Sequence, residues 1–134
     1  ARPALTLWHR LRGLFFINSY VKGRYLTHDR QRVASFNNDP LITRAIAVNI
    51  LLDLYKTSER IIRDAAAITL PTQLLISGDD YVVHRQPQID FYQRLRSPLK
   101  ELHLLPGFYH DTLGEENSAL IDISEMSIVK QPTE

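Results

Sequence analysis

Asp80 and His110 are the two side chains of this sequence whose types and placement could do chemistry together. Each follows an apolar run closed by glycine: "LLIS" opens into "GDDYVVH", and "LHLLPG" opens into "FYHDTLGE". Short apolar runs ended in this way read as buried strands. The amphipathic stretch "PQIDFYQRLR" lies between them and reads as a helix. A strand, helix, strand succession of this length implies a right-handed parallel crossover. Both loops then emerge at the carboxyl edge of the sheet, where open parallel sheets gather ligand and catalytic groups. An acid in one loop can accept a hydrogen bond from the ring of a histidine in the other. That orients the imidazole and stabilises its charged form while it acts as general base toward a nucleophile. Asp79 competes with Asp80 for the acid role. It reads better as a turn residue after Gly78, whereas Val82 and Val83 after Asp80 would anchor that loop.

Other polar residues offer weaker chemistry. Histidine–aspartate pairs occur at His28–Asp29 and His110–Asp111, and His9, His84 and His103 are also present. None has the tight helical spacing of metal ligands, so no metal site is expected. His28 with Asp29 reads as helix-start chemistry, since an acid in the first turn suits the helix dipole. His103 sits within a strand and is expected to face solvent. Trp8, Phe15 and Phe16 could line an acyl pocket, or could be plain core.

The elements that would position these groups fall into two stretches. The first half reads as helices. Leu7, Trp8, Leu11, Leu14 and Phe15 form a helical stripe. "YLTHDRQRVASF" reads as a short helix started by Thr27 or Asp29. "NDPLITRAIAVNILLDLYK" predicts a largely buried helix with Asp39 as N-cap and Pro40 at its first position. "TSERIIRDAAAI" predicts another, capped by Thr57 or Ser58. From Pro71 the order is β-α-β-α, with a last helix over "SALIDISEMSIV". These readings divide the chain into a helical region, residues 1–68, and a parallel α/β region, residues 69–134. Two buried parallel strands are few for a sheet of their own, so part of the fold is expected to lie outside the sequence.

Bulk composition sets the outer limits. The 134 residues suffice for one domain with a core, and 44% apolar and 23% charged residues are ordinary for a globular chain. With no cysteine there are no disulfides or thiolate metal sites, which fits a reducing compartment, and a cytoplasmic location is expected. The run "AIAVNILLDLY" is short and carries Asn49 and Asp53, so no transmembrane segment is expected. Charges inside "ARPALTLWHRLRGLFF" argue against a secretory signal. The first residue is not methionine, which points to a fragment or a processed product. Net charge is +1 but unevenly spread: residues 1–32 balance to +6 and the remainder to −5. No dense Lys/Arg tract accompanies the basic part, so no nucleic-acid partner is expected.

The stretch "ITLPTQLLISGDDYVVHRQPQIDFYQRLRSPLKELHLLPGFYHDTLGE" strongly resembles the C-terminal end of α/β-hydrolases. It is most similar to the serine hydrolases that include monoacylglycerol lipases and lysophospholipase-like esterases. Pro71, Gly78, Asp80, Val82, Val83, Gly107 and His110 fall on that pattern. Asp79 alone separates Gly78 from Asp80, one residue fewer than the family's usual two. "LTHDRQRVASFNNDPLITRAIAVNILLDLY" resembles the helical cap such enzymes carry over the active site. The resemblance implies an incomplete α/β-hydrolase fold, Asp80 and His110 as two members of a Ser-His-Asp triad, an ester or lipid substrate, and no cofactor. It also implies a serine in G-x-S-x-G. The glycines at 13, 23, 78, 107 and 114 do not flank a serine in that way, so the nucleophile is expected upstream of residue 1. The chain by itself is expected to be inactive, and to pair with another copy or with its missing half. The competing reading is a non-catalytic module derived from the same fold that oligomerises or binds a partner.

Overall fold

The computed structural model describes residues 2–116; the expected last helix lies outside the described residues. Helix α1 spans Arg2–Arg12 and ends on Gly13, whose φ of 74° suits only glycine. Helix α2 spans Arg30–Asn38. Asp29 is its N-cap, accepting from the amides of Gln31 at 2.8 Å and Arg32 at 3.2 Å. Helix α3 spans Val48–Arg63 and helix α4 spans Arg85–Arg94.

Strands β3, Thr72–Ser77, and β4, Lys100–Leu105, pair in parallel from Thr72 opposite Lys100 to Ser77 opposite Leu105. Helix α4 is the crossover between them and packs on β3 and α3. Lys100 closes α4 from the next strand: its ammonium donates to the carbonyls of Tyr92 at 3.1 Å and Leu95 at 2.8 Å, where the dipole favours a cation. Ile76, Leu95, Leu102, Leu105, Val48, Leu52 and Ala65 form the buried apolar core.

The helical half departs from expectation at three points. A short antiparallel pair is present, β1 over Phe16–Asn18 and β2 over Ala45–Ala47, with Ile17 opposite Ile46. Asp39 does not start a helix. It is the C-cap of α2, and its carboxylate accepts from the Leu41 amide at 2.8 Å, a turn use of the Asp-x-x pattern. The third helix begins only at Val48 and runs unbroken through Thr57 and Ser58, so the two expected helices are one. That helix is amphipathic rather than largely buried: Val48 and Leu52 are buried, while Ile50, Leu54, Tyr55 and Ile61 are exposed.

His103 also departs from expectation. It is 1% exposed, because β4 is covered on both faces at Leu102 and His103, and alternation leaves no solvent face there. Its Nε2–H donates to the Glu101 carboxylate at 3.2 Å, and Gln73 donates to the same oxygen at 3.1 Å. Those bonds lower the Glu101 pKa, the His103 bond first.

The strand ends are tied tightly. The Gly78 amide donates to Leu105 O at 2.7 Å, and a Cβ at Gly78 would meet Leu105 O at 2.7 Å and Pro106 Cα at 2.9 Å. Both obstacles are backbone, so Gly78→Ala must push the strand ends apart. We expect it to destabilise the fold by about 1–3 kcal/mol, measured by urea denaturation. A change within a few tenths of a kilocalorie would show that this edge yields freely.

Candidate functional site

The two loops beyond β3 and β4 meet at the carboxyl edge of the sheet. The Asp79 amide donates to Phe108 O at 3.0 Å, joining one loop to the other. Gly107, at φ 79°, turns the chain after β4, and Phe108 N donates back to Leu105 O at 3.3 Å. This brings His110 and Asp80 together: Nδ1 of His110 lies 2.9 Å from Oδ2 of Asp80. Of the two competing acids it is therefore Asp80 that reaches the histidine, while Asp79 is exposed and engages Phe108 through its backbone.

The Asp80 carboxylate is held from both sides. Oδ1 accepts from the amides of Val82 at 2.7 Å and Val83 at 3.0 Å, an Asx turn that aims Oδ2 at the histidine. The side chain is 8% exposed. Burial works against its charge, but the hydrogen bonds from His110 and from the Val83 and Val82 amides outweigh it, so its pKa lies below the usual aspartate value. An ionised carboxylate only accepts, so Nδ1 of His110 carries the proton. Nε2 is left with a lone pair and with no hydrogen-bond partner among the described residues. The His110 side chain is 39% exposed. This is an imidazole oriented by a carboxylate on one side and open for proton transfer on the other.

The loops are also tied to the helical half. Tyr20 donates its hydroxyl to Val82 O at 2.9 Å, and the Asp111 amide donates to Leu26 O at 2.8 Å. Tyr81 and Tyr109, the chain neighbours of Asp80 and His110, meet edge-on with ring centroids 5.1 Å apart. Glu115, buried, accepts from the amides of Tyr109 at 2.8 Å and His28 at 2.9 Å, from Thr27 Oγ1 at 3.2 Å and from the His28 ring at 3.1 Å. The sequence reading passed over Tyr81, Tyr109 and Glu115. Their adjacency to the Asp80 and His110 loops was visible, but their partners lie far away along the chain. Of the His28–Asp29 pair read as helix-start chemistry, Asp29 caps α2, while His28 faces Glu115 and lies 3.8 Å from the Tyr109 ring.

Burial opposes the charge of Glu115 too, and is outweighed by the His28 and Tyr109 amides and then by the His28 ring, so its pKa is also lowered. Both carboxyls therefore bind protons more weakly in the folded chain than in the unfolded one. Their stabilisation is complete above the ordinary values of 3.8 for Asp80 and 4.5 for Glu115, and drains as pH falls through their lower folded values. Denaturation measured across pH should show stability falling below about pH 4.5 through these groups, with Glu115→Gln removing part of the fall. An unchanged acid slope in that variant would mean that Glu115 ionises as it does in the unfolded chain.

Trp8 lies on α1, half-exposed, with the Arg12 guanidinium 5.0 Å from its ring centroid. Phe15 is half-buried just before β1, and Phe16, in β1, is exposed. None of the three makes a hydrogen bond or ring contact with Asp80 or His110. Among the described residues, no helix is long and apolar enough to cross a membrane.

Comparison with known proteins bears on the family and the fold. The chain is 98% identical over 120 residues to the uncharacterized protein YnbC of Escherichia coli strain K12, covering 90% of this chain and 20% of that protein. It is 27% identical over 109 residues to a monoglyceride lipase-like protein of Schizosaccharomyces pombe, covering 81% of this chain and 29% of the relative. The crystal structure of Paleococcus ferrophilus monoacylglycerol lipase superposes with a TM-score of 0.79 at 18% identity, over 89% of this chain and 47% of that one. A soluble variant of Saccharomyces cerevisiae monoglyceride lipase, in complex with a substrate analog, superposes with a TM-score of 0.73 at 18% identity, over 87% and 41%. The chain thus spans between a fifth and a half of the proteins it matches. The sequence model of the family serine aminopeptidase, S33, matches residues 1–117. The chain belongs to that family of hydrolases, and carries an incomplete α/β-hydrolase fold of the kind seen in monoacylglycerol lipases.

Proposed function

We infer that these residues are part of a serine hydrolase acting on carboxylic esters, with Asp80 and His110 as two members of its triad. The observation that carries the reading is the Nδ1–Oδ2 bond of 2.9 Å at the carboxyl edge of the parallel pair, with Nε2 of His110 left open. In such a mechanism Nε2 takes the proton of a serine hydroxyl as that oxygen attacks the ester carbonyl, and returns it to the leaving alcohol. Water then repeats the cycle on the acyl-enzyme. Asp80 holds the tautomer and balances the imidazolium charge.

The serine is supplied by residues preceding this chain, in the longer polypeptide referred to below as the parent protein. Residues 1–68 act as its cap, and Trp8, Phe15 and Phe16 offer apolar surface for an acyl chain. The similarity to lipases supports a lipid or other apolar ester as substrate, and a cytoplasmic location is consistent with a chain that uses no cysteine.

The test is hydrolysis of nitrophenyl esters of graded acyl length. The parent protein should turn them over, with rates rising from short to medium chains, since each buried methylene is worth about 0.8 kcal/mol. No turnover of any ester by the parent would overturn the reading. The 134-residue chain by itself should show none, since it lacks the covalent step and the oxyanion hole. It should also self-associate at micromolar concentration in sedimentation, because among the described residues β3 and β4 pair only with each other and leave open edges. A compact monomer would instead favour a self-sufficient module.

A further inference from the structure

Glu115 is a buried carboxylate that the chemistry of the Asp80–His110 pair does not use, and it spends its acceptors in an unusual way. Oε1 takes the amide of Tyr109, the residue immediately before His110, at 2.8 Å. Oε2 takes the His28 amide at 2.9 Å and the Thr27 hydroxyl at 3.2 Å. The His28 ring donates to both oxygens at 3.1 Å. The Thr27 hydroxyl proton is shared with Gly114 O at 2.8 Å, so the 27–28 segment holds the Gly114–Glu115 end of the turn that carries His110. On the other side Tyr109 packs against Tyr81, which follows Asp80. The His110 loop is thereby clamped at the position before the histidine through Glu115, whose anchor at His28 lies 87 positions away along the chain.

We propose that Glu115 is a positioning residue: it holds the Tyr109 amide, and through it sets His110 at hydrogen-bond distance from Asp80, with the 27–28 segment as its fixed anchor. This rests on the reading of Asp80 and His110 as the acid and base of an ester hydrolase. Geometry of that kind is worth much to a rate, since a displacement near 1 Å costs about a hundredfold. Glutamine is the informative replacement. It keeps the volume and one acceptor, but sets an –NH2 against either the Tyr109 or the His28 amide, donor against donor.

The experiment compares four forms of the parent protein on one ester substrate: unaltered, Glu115→Gln, His110→Ala, and Leu95→Ala as a control. Leu95 is buried in the core and 3% exposed, and its truncation loosens the fold without touching the clamp. Glu115→Gln should lower kcat by roughly ten- to a hundredfold with KM within about twofold, while Leu95→Ala, at a similar loss of Tm, keeps its kcat. A Glu115→Gln protein with unchanged kcat beside an inactive His110→Ala overturns the clamp alone. An active His110→Ala overturns the catalytic reading beneath it. A KM effect without a kcat effect, or an equal kcat loss in Leu95→Ala, also counts against positioning. Should Glu115→Gln not fold, hydrogen exchange on the unaltered protein decides: the Tyr109 amide should exchange as slowly as those of β4, and fast exchange there overturns the proposal.

Discussion

Replacing His110 by alanine in the parent protein should lower ester hydrolysis by about ten-thousandfold or more. The loss is expected to fall on kcat. In the proposed mechanism the imidazole moves the proton from the nucleophile to the leaving group, and its Nε2 meets no other described residue that could substitute. Binding of the ester through apolar surface should persist, so KM should change little. The variant should also keep its fold, because His110 is partly exposed and its bond to Asp80 is its one hydrogen bond among the described residues. Circular dichroism and thermal unfolding would establish that. Turnover within a few-fold of the unaltered protein would remove His110 from the chemistry, and with it the triad reading.

Asp80→Asn should cost nearly as much, about ten-thousandfold in kcat, by a different route. The asparagine oxygen can still accept from the amides of Val82 and Val83, so the loop keeps its shape. Its –NH2 then points where Oδ2 was, and offers a donor to Nδ1 of His110. Nδ1 must accept, the ring proton moves to Nε2, and the lone pair that should take the serine proton is gone. Asp79→Asn leaves all of this untouched, since Asp79 is exposed and its contact to Phe108 uses the backbone. Its activity should stay within a few-fold. Steady-state kinetics of the two variants side by side make the check. The reverse ranking would transfer the acid role to Asp79 and require the loops to rearrange in the working enzyme.

Much of the chemistry-bearing half could be read along the chain. "TQLLIS" and "KELHLL" are strands, and the intervening helix lies over Arg85–Arg94, because a continuous apolar run ended by glycine and an amphipathic stretch each carry their signal within a few residues. A helix start at Thr27 or Asp29 was legible for the same reason: the cap, which is Asp29, accepts from amides only two and three residues ahead. The helical half was less legible. "RAIAVNILLDLY" is mostly apolar and does not mark where a strand stops and a helix starts. Pairing with Phe16–Asn18, some thirty residues earlier, turns Ala45–Ala47 into β2 and delays α3 to Val48. Asp39 followed by proline carries a helix-start signature, yet α2 ends there and the carboxylate serves a turn.

By itself, then, the sequence determined the strand, helix and strand of the second half and the order Asp80 then His110, since short-range sterics and hydrogen bonds encode both. It also put Asp80 ahead of Asp79 as the acid expected to face His110. Only the tertiary structure brought Oδ2 of Asp80, and not Asp79, to Nδ1 of His110 across thirty residues of chain. Only tertiary structure buried His103 on a strand whose pattern left it free to face solvent. It likewise turned Glu115 from the last residue of a polar loop into the acceptor that joins Tyr109 to Thr27 and His28. Such a contact has no periodicity to announce it. A carboxylate's partners over so long a separation depend on how whole elements pack, and the free energy of that packing is spread over the core rather than written beside the residue it positions.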